Sequence, residues 1–153
     1  MRLGHGFRIA DDIATADDGA PPRLGRLAAY VRDRQVALEL CPTSNVHIGA
    51  VTSVAATPVG LLMDLGFRVT VNTDNRLMSG VTASSELAAV DAAFGLGVAG
   101  LERLAVDALE ASFLPLPERR RLVDDVVRPG YARLTGQQIS VRQVDGSPTG
   151  SLQ

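Results

Sequence analysis

With 153 residues the chain is long enough for one domain with a real core, but it falls well short of the ~250 residues that a complete eight-stranded α/β barrel usually needs. A hydrophobic content of 46%, a formal charge of -2 and no apolar run near the ~20 residues of a membrane span describe a soluble globular protein with no membrane role. The 15 basic residues are all arginine and are scattered. Their one cluster, Arg119-Arg120-Arg121, reads as a solvated helix face, so no nucleic-acid partner is implied.

In chain order, Leu3 to Gly6 reads as the end of a strand, followed by a polar loop with Asp11, Asp12, Asp17 and Asp18 up to the breaker pair Pro21-Pro22. Leu24, Leu27, Ala28 and Val31 recur at helical spacing and predict a helix over 23–34. Val36 to Leu40 is a short buried strand. Pro58 suits the first turn of a second helix, with Val59, Leu61, Leu62 and Leu65 as its apolar stripe and Gly66 as its stop. Phe67 to Asn72 is the third strand. This alternation is the βαβ pattern of a parallel sheet, an α/β fold. Helical stretches follow over about 82–95, 100–113 and 117–127, punctuated by Gly95-Leu96-Gly97 and Pro115-Leu116-Pro117. The domain is expected to end near residue 134, and 135–153 to be a flexible polar tail.

The single cysteine, Cys41, excludes an internal disulfide framework and fits a reducing cytoplasm. Met1-Arg2-Leu3-Gly4-His5 has neither an apolar core nor a cleavage signal, so no secretory leader is expected. Met1 also falls where the strand leading into Gly4-His5 should already be under way. The expectation is therefore a C-terminal piece of something longer.

Three polar clusters end the three strands: Arg-Leu-Gly-His-Gly at 2–6, Leu-Glu-Leu-Cys-Pro-Thr-Ser-Asn at 38–45 and Val-Thr-Val-Asn-Thr-Asp-Asn at 69–75. Strand ends are where a (β/α) barrel places its chemistry. Glycine on both sides of His5 lets the backbone turn sharply and leaves the imidazole unobstructed. On spacing alone, a histidine held in a tight loop is the simpler reading. Asp74 ends an apolar-polar alternation, where it is either an oxygen ligand for a metal or a cap. Asn75 reads as a turn residue or as an amide donor. Glu39 reads as structural, His47 as solvated, and Cys41 as no nucleophile, since no base accompanies it.

In this order the clusters resemble the last three strand ends of the zinc-dependent adenosine deaminases, from about Arg2 to Leu116. The resemblance implies the C-terminal part of a (β/α)8 barrel, about its last three β/α units plus C-terminal helices, with the barrel incomplete in this chain. It implies hydrolytic deamination of adenosine to inosine, with a purine nucleoside as the small-molecule partner. His5 matches the catalytic histidine that hydrogen-bonds the zinc-bound hydroxide, Asp74 the zinc-binding aspartate, and Asn75 the residue that contacts purine N7. There an asparagine stands where the family more often has aspartate; its amide donates at any pH. Cys41-Pro42-Thr43-Ser44-Asn45 matches an architectural signature in which proline fixes the exit of the chain and the serine and asparagine satisfy loop backbone groups. Ile48 and Thr57 depart from the usual threonine and histidine.

The same resemblance requires a His-x-His motif, a third zinc histidine and a general-acid glutamate. With two histidines in all, this chain cannot assemble that site. Three readings follow: a fragment of an adenosine deaminase that is inactive alone, with zinc and a missing N-terminal half as its partners; a catalytically silent truncated or interaction module; or a deaminase for adenine or another 6-aminopurine.

Overall fold

The computed structural model describes residues 1–15 and 19–136. The chain begins with β1 (Arg2–Gly4), a 3-10 turn (Gly6–Asp12), and the short β2 (Ile13–Ala14) and β3 (Arg23–Leu24), which lead into α1 (Arg26–Asp33). β4 (Ala37–Leu40), α2 (Pro42–His47), α3 (Val59–Asp64) and β5 (Val69–Val71) follow. Helices then take over: α4 (Arg76–Ser79), α5 (Ala83–Phe94), α6 (Gly97–Glu110), and a continuous run of α7 (Leu116–Leu122), a π segment (Val123–Val127) and α8 (Arg128–Leu134).

β1, β4 and β5 form one parallel sheet in that order, while β2 and β3 pair antiparallel beside it. The register aligns Leu3, Leu38 and Val69 in one row and Gly4, Glu39 and Thr70 in the next. Since side chains alternate across a strand, one face is apolar and the other polar. Leu38, Leu40 and Val69 are buried on the apolar face with Val59, Leu62, Phe67, Val90 and Leu104. Each such side chain contributes about 1.5–3 kcal/mol by leaving water. On the polar face Arg2 pairs with Glu39 at 3.0 Å, which bears out the structural reading of that glutamate. The sheet does not close, and the architecture is α/β as the βαβ pattern predicts.

Helix limits differ from expectation where a distant residue sets them. Leu24 pairs with Ile13 in the small ladder, so α1 starts after Gly25. There the Asp12 carboxylate accepts from the Ala28 amide at 2.8 Å, capping the helix in place of a glycine that has no side chain. Ala28 and Val31 form the buried stripe, and Leu27 is left 60% exposed. α2 was not expected, because Pro-Thr-Ser-Asn reads as turn sequence; Pro42 instead opens a helix from its first turn.

α6 starts at Gly97 rather than near 100, where the Asp91 carboxylate accepts from the Gly97 amide at 2.8 Å. Arg103 on α6 donates to the carbonyls of Met63 and Phe67 at 2.9 and 3.2 Å, tying that helix to the turn before β5. The last helix runs past 127 to Leu134 through Pro129. A proline ring removes one N–H and crowds the carbonyl four residues earlier, and the wider π turn gives it room. Of the expected tail, Thr135 and Gly136 form a turn, and 137–153 lie outside the described residues, as do Asp17 and Asp18 of the loop. No described helix is long and apolar enough to cross a membrane.

Candidate functional site

His5 directly follows β1 and Asp74 lies three residues beyond β5, so both stand at the C-terminal ends of parallel strands. Both have left-handed backbones, with φ of 49° and 51°. Among the described residues the other non-glycine residue with positive φ is Gln35, at 50°. Gln35 ends α1 in the ordinary way, its side-chain amide donating to the carbonyls of Arg32 and Gly66. His5 instead precedes the 3-10 turn and Asp74 stands one residue before the Asn75 cap of α4, so neither closes the C-terminus of a helix, and left-handed non-glycine residues of this kind concentrate at functional sites.

The sharp turn was expected from the glycines flanking His5, but His5 itself makes it. Gly6 serves close packing: a Cβ there would stand 2.8 Å from Leu38 Cδ2, whereas one on Gly4 would meet nothing nearer than 3.8 Å.

The two strand ends converge. His5 Nε2 lies 3.5 Å from Asp74 Oδ2, with both side chains partly exposed. Between them α2 supplies two buried residues, Ser44 and Asn45. Ser44 Oγ donates to Asp74 Oδ2 at 2.7 Å, and Asn45 Oδ1 pairs with His5 Nδ1 at 3.3 Å. This corrects the expectation that these two side chains satisfy loop backbone; they hold the two candidate site residues. A polar pair one turn into a helix opened by proline was the available signal, but it does not say which strand ends the pair will reach.

A second residue escaped sequence reasoning. Glu86, in the first turn of α5, is 1% exposed. Its Oε2 accepts from the Thr43 amide at 3.2 Å, and its Oε1 is buried with no partner among the described residues. It anchors the start of α2 from behind. Its spacing of four from Val90, which is fully buried, was the clue that it faces inward.

Cys41, just before α2, has its thiol pushed up from 9.0 to about 11, by burial first and then by the carboxylates of Asp74, Glu86 and Glu39. A thiol so held is no nucleophile at neutral pH, which agrees with the sequence reading.

Asn75 caps α4, its Oδ1 accepting from the Met78 amide at 3.2 Å. Its Nδ2 has no partner among the described residues and the side chain is exposed. His47 is exposed at the end of α2. A zinc centre takes four ligands at about 2.0–2.3 Å, and the described residues contain no group of three His, Cys, Asp or Glu side chains able to hold a metal. One carboxylate beside one imidazole does not make that centre by itself.

Residues 1–129 match the family model described as adenosine deaminase. A curated adenosine deaminase from Mycobacterium sp. (strain JLS) is 55% identical over 135 residues, which cover 88% of this chain and 37% of the relative. The chain thus spans little more than a third of the length of such relatives. Among solved structures, an adenine deaminase from Arthrobacter aurescens superposes with a TM-score of 0.71 at 24% identity, covering 84% of this chain and 36% of that one. An amidohydrolase from Burkhoderia ambifaria with bound Zn gives 0.70 at 18% identity, covering 88% and 34%. Both likenesses concern the fold alone, shared over about a third of each of those chains. The match of residues 1–129 to the family model leads to one assignment: the chain belongs to the adenosine deaminase family.

Proposed function

We propose that this chain is the C-terminal part of the catalytic barrel of a hydrolase that converts adenosine and water to inosine and ammonia, and that it is silent without the N-terminal part. The observation that carries this reading is the convergence of His5 and Asp74, 3.5 Å apart beyond the two outer strands of the sheet and held there by Ser44 and Asn45, which follow the strand between them. A base and a carboxylate so placed can act on one water molecule, His5 taking or orienting its proton and Asp74 fixing it from the other side.

In this reading Asp74 also offers one oxygen to a zinc ion whose remaining ligands lie outside this chain, and Asn75 directs its free amide to purine N7. The 55% identity to an adenosine deaminase favours the nucleoside over free adenine, for which the support is a fold likeness alone. The lone buried thiol of Cys41 fits a reducing cytoplasm.

The silent-module reading has its own support, since two candidate groups fall short of a metal centre. The two readings part in one experiment. The 153-residue chain, loaded with zinc and analysed for metal, is assayed for the adenosine-to-inosine absorbance change, alone and after fusion to the N-terminal part of a close relative. The expected result is no turnover alone and turnover in the fusion. Asp74→Ala should then abolish both zinc retention and turnover, whereas His5→Ala keeps the metal and loses about 10²–10⁴-fold in rate, the range of a general-base contribution. Turnover by the chain alone, or equal zinc loss in both variants, overturns these assignments.

A further inference from the structure

We propose that Glu86 is a positioning residue: from α5 it supplies the cap that α2 lacks, and α2 carries the two side chains that hold His5 and Asp74. The N-cap of α2 is Cys41, whose side chain caps nothing, and Pro42 at the first position has no amide to offer. Thr43 therefore carries the first N–H inside the helix. That N–H donates to Glu86 Oε2 at 3.2 Å, from 43 residues away in sequence. A carboxylate at this end also meets the positive pole of the helix. A helix of six residues is too short to persist without support from outside.

The support is itself fixed. Thr82 and Ser85 cap α5 reciprocally, the Ser85 amide donating to Thr82 Oγ1 at 3.1 Å and the Thr82 amide to Ser85 Oγ at 2.9 Å. Glu86 follows directly in that first turn, with Val90 fully buried one turn on. On α2 the two residues after Thr43 are Ser44 and Asn45, both buried, which reach Asp74 at 2.7 Å and His5 at 3.3 Å. A shift in the first turn of α2 is thus a shift in both contacts.

Stability does not account for the carboxylate. Glu86 is 1% exposed, and its second oxygen, Oε1, is buried with no partner among the described residues. Taking a carboxylate out of water for one hydrogen bond is costly, and an apolar side chain of similar size in such a place is often neutral or stabilising. What an apolar side chain cannot do is accept from Thr43. The catalytic consequence rests on the proposed function: the cap sets the geometry of the pair and so the rate, without touching the substrate.

Two measurements test this. Amide hydrogen exchange on the 153-residue chain reads the cap, and turnover of the fused enzyme reads its consequence. A fusion that is inactive with Glu86 intact counts against the proposed function, and exchange still decides the cap. In the unaltered chain the Thr43 amide should exchange slowly; exchange as fast as that of an exposed amide overturns the proposal and needs no variant to fold. Glu86→Met keeps the length of the side chain but accepts nothing. It should keep or raise the melting temperature, speed exchange at Thr43 and Asn45 more than in α1, and lower kcat by about 10²-fold with KM for adenosine little changed. Glu86→Gln, whose amide oxygen still accepts, should recover most of the protection and the rate. Val90→Ala, on the same helix, should lower the melting temperature and leave α2 exchange and kcat as they were. An unchanged kcat in Glu86→Met, a Gln variant as impaired as the Met variant, or an equal loss in Val90→Ala overturns the proposal.

Discussion

Asn75 has two functional ends, and the fold uses one of them. Its carbonyl oxygen closes the first turn of α4, which leaves the amide nitrogen pointing outward as a donor. Cap and ligand contact are therefore compatible. If that amide meets purine N7, a 7-deaza substrate, with carbon at the same place, leaves the donor unpaired and loses about 1–3 kcal/mol of transition-state binding. The measurement is kcat/KM for adenosine and 7-deazaadenosine in the fused enzyme; equal values would return Asn75 to capping alone. The placement of His5 and Asp74 just past strands was legible from where the strands end, whereas the roles proposed for them come from the family resemblance, since position alone reads equally as a loop histidine and a cap. The reach of Ser44 to Asp74, 30 residues away, and of Asn45 to His5, 40 away, was not legible, because strand order alone does not say which side chains cross between neighbouring ends.

At the level of elements, the start of α1 shows why boundaries escape local reading. Its apolar spacing predicts a helix from 23, yet the cap comes from Asp12, 16 residues before Ala28. The Asp12 carboxylate fills the space over Gly25 so fully that a Cβ there would lie 2.1 Å from Oδ1. Asp12→Ala is expected to cost about 1 kcal/mol, as for other lost caps. Gly25→Ala should cost more, about 1–3 kcal/mol, since it both overfills the site and pushes the cap away. Urea denaturation of the two variants checks the order. β4 and β5 are legible because each is a short apolar run between turn residues, whereas β2 and β3, two residues each, fall where a loop and a helix start were expected. α2 was missed because proline, threonine, serine and asparagine favour turns and helix starts alike, and only the buried Glu86 behind Thr43 settles which of these forms.

For the molecule as a whole, the parallel sheet has three strands, an apolar face covered by helices and a polar face that stays open. A cleft of about 450 Å³ opens on the polar side, lined by Met1, Arg2, Glu39, Arg68, Phe113 and Arg119. It lies toward the N-terminal ends of the strands, away from His5 and Asp74. Leu77 and Met78, 93% and 82% exposed, stand just after Asn75. The buried thiol of Cys41 makes global stability depend on alkaline pH, and the sign follows from its raised pKa. Below pH 9 the folded and unfolded chains both keep the proton, so the contribution is fully present. As pH rises from 9.0 to about 11 the unfolded chain ionises first, and stability falls. Denaturation at about pH 8 and about pH 10 should show this loss, and Cys41→Ser, whose hydroxyl does not ionise in that range, should diminish it.

The left-handed backbones of His5 and Asp74 set durability against chemistry. A non-glycine residue in that conformation costs about 1–2 kcal/mol, while glycine gives back about 0.5–1 kcal/mol through the greater freedom of the unfolded chain. His5→Gly should therefore raise the melting temperature slightly, although it deletes the proposed base; a drop of several degrees would show that the imidazole holds the loop together. It follows that a library of variants screened for heat resistance alone would accumulate glycine at position 5. The sturdiest descendants of this chain would be those that had lost the imidazole on which the proposed function rests.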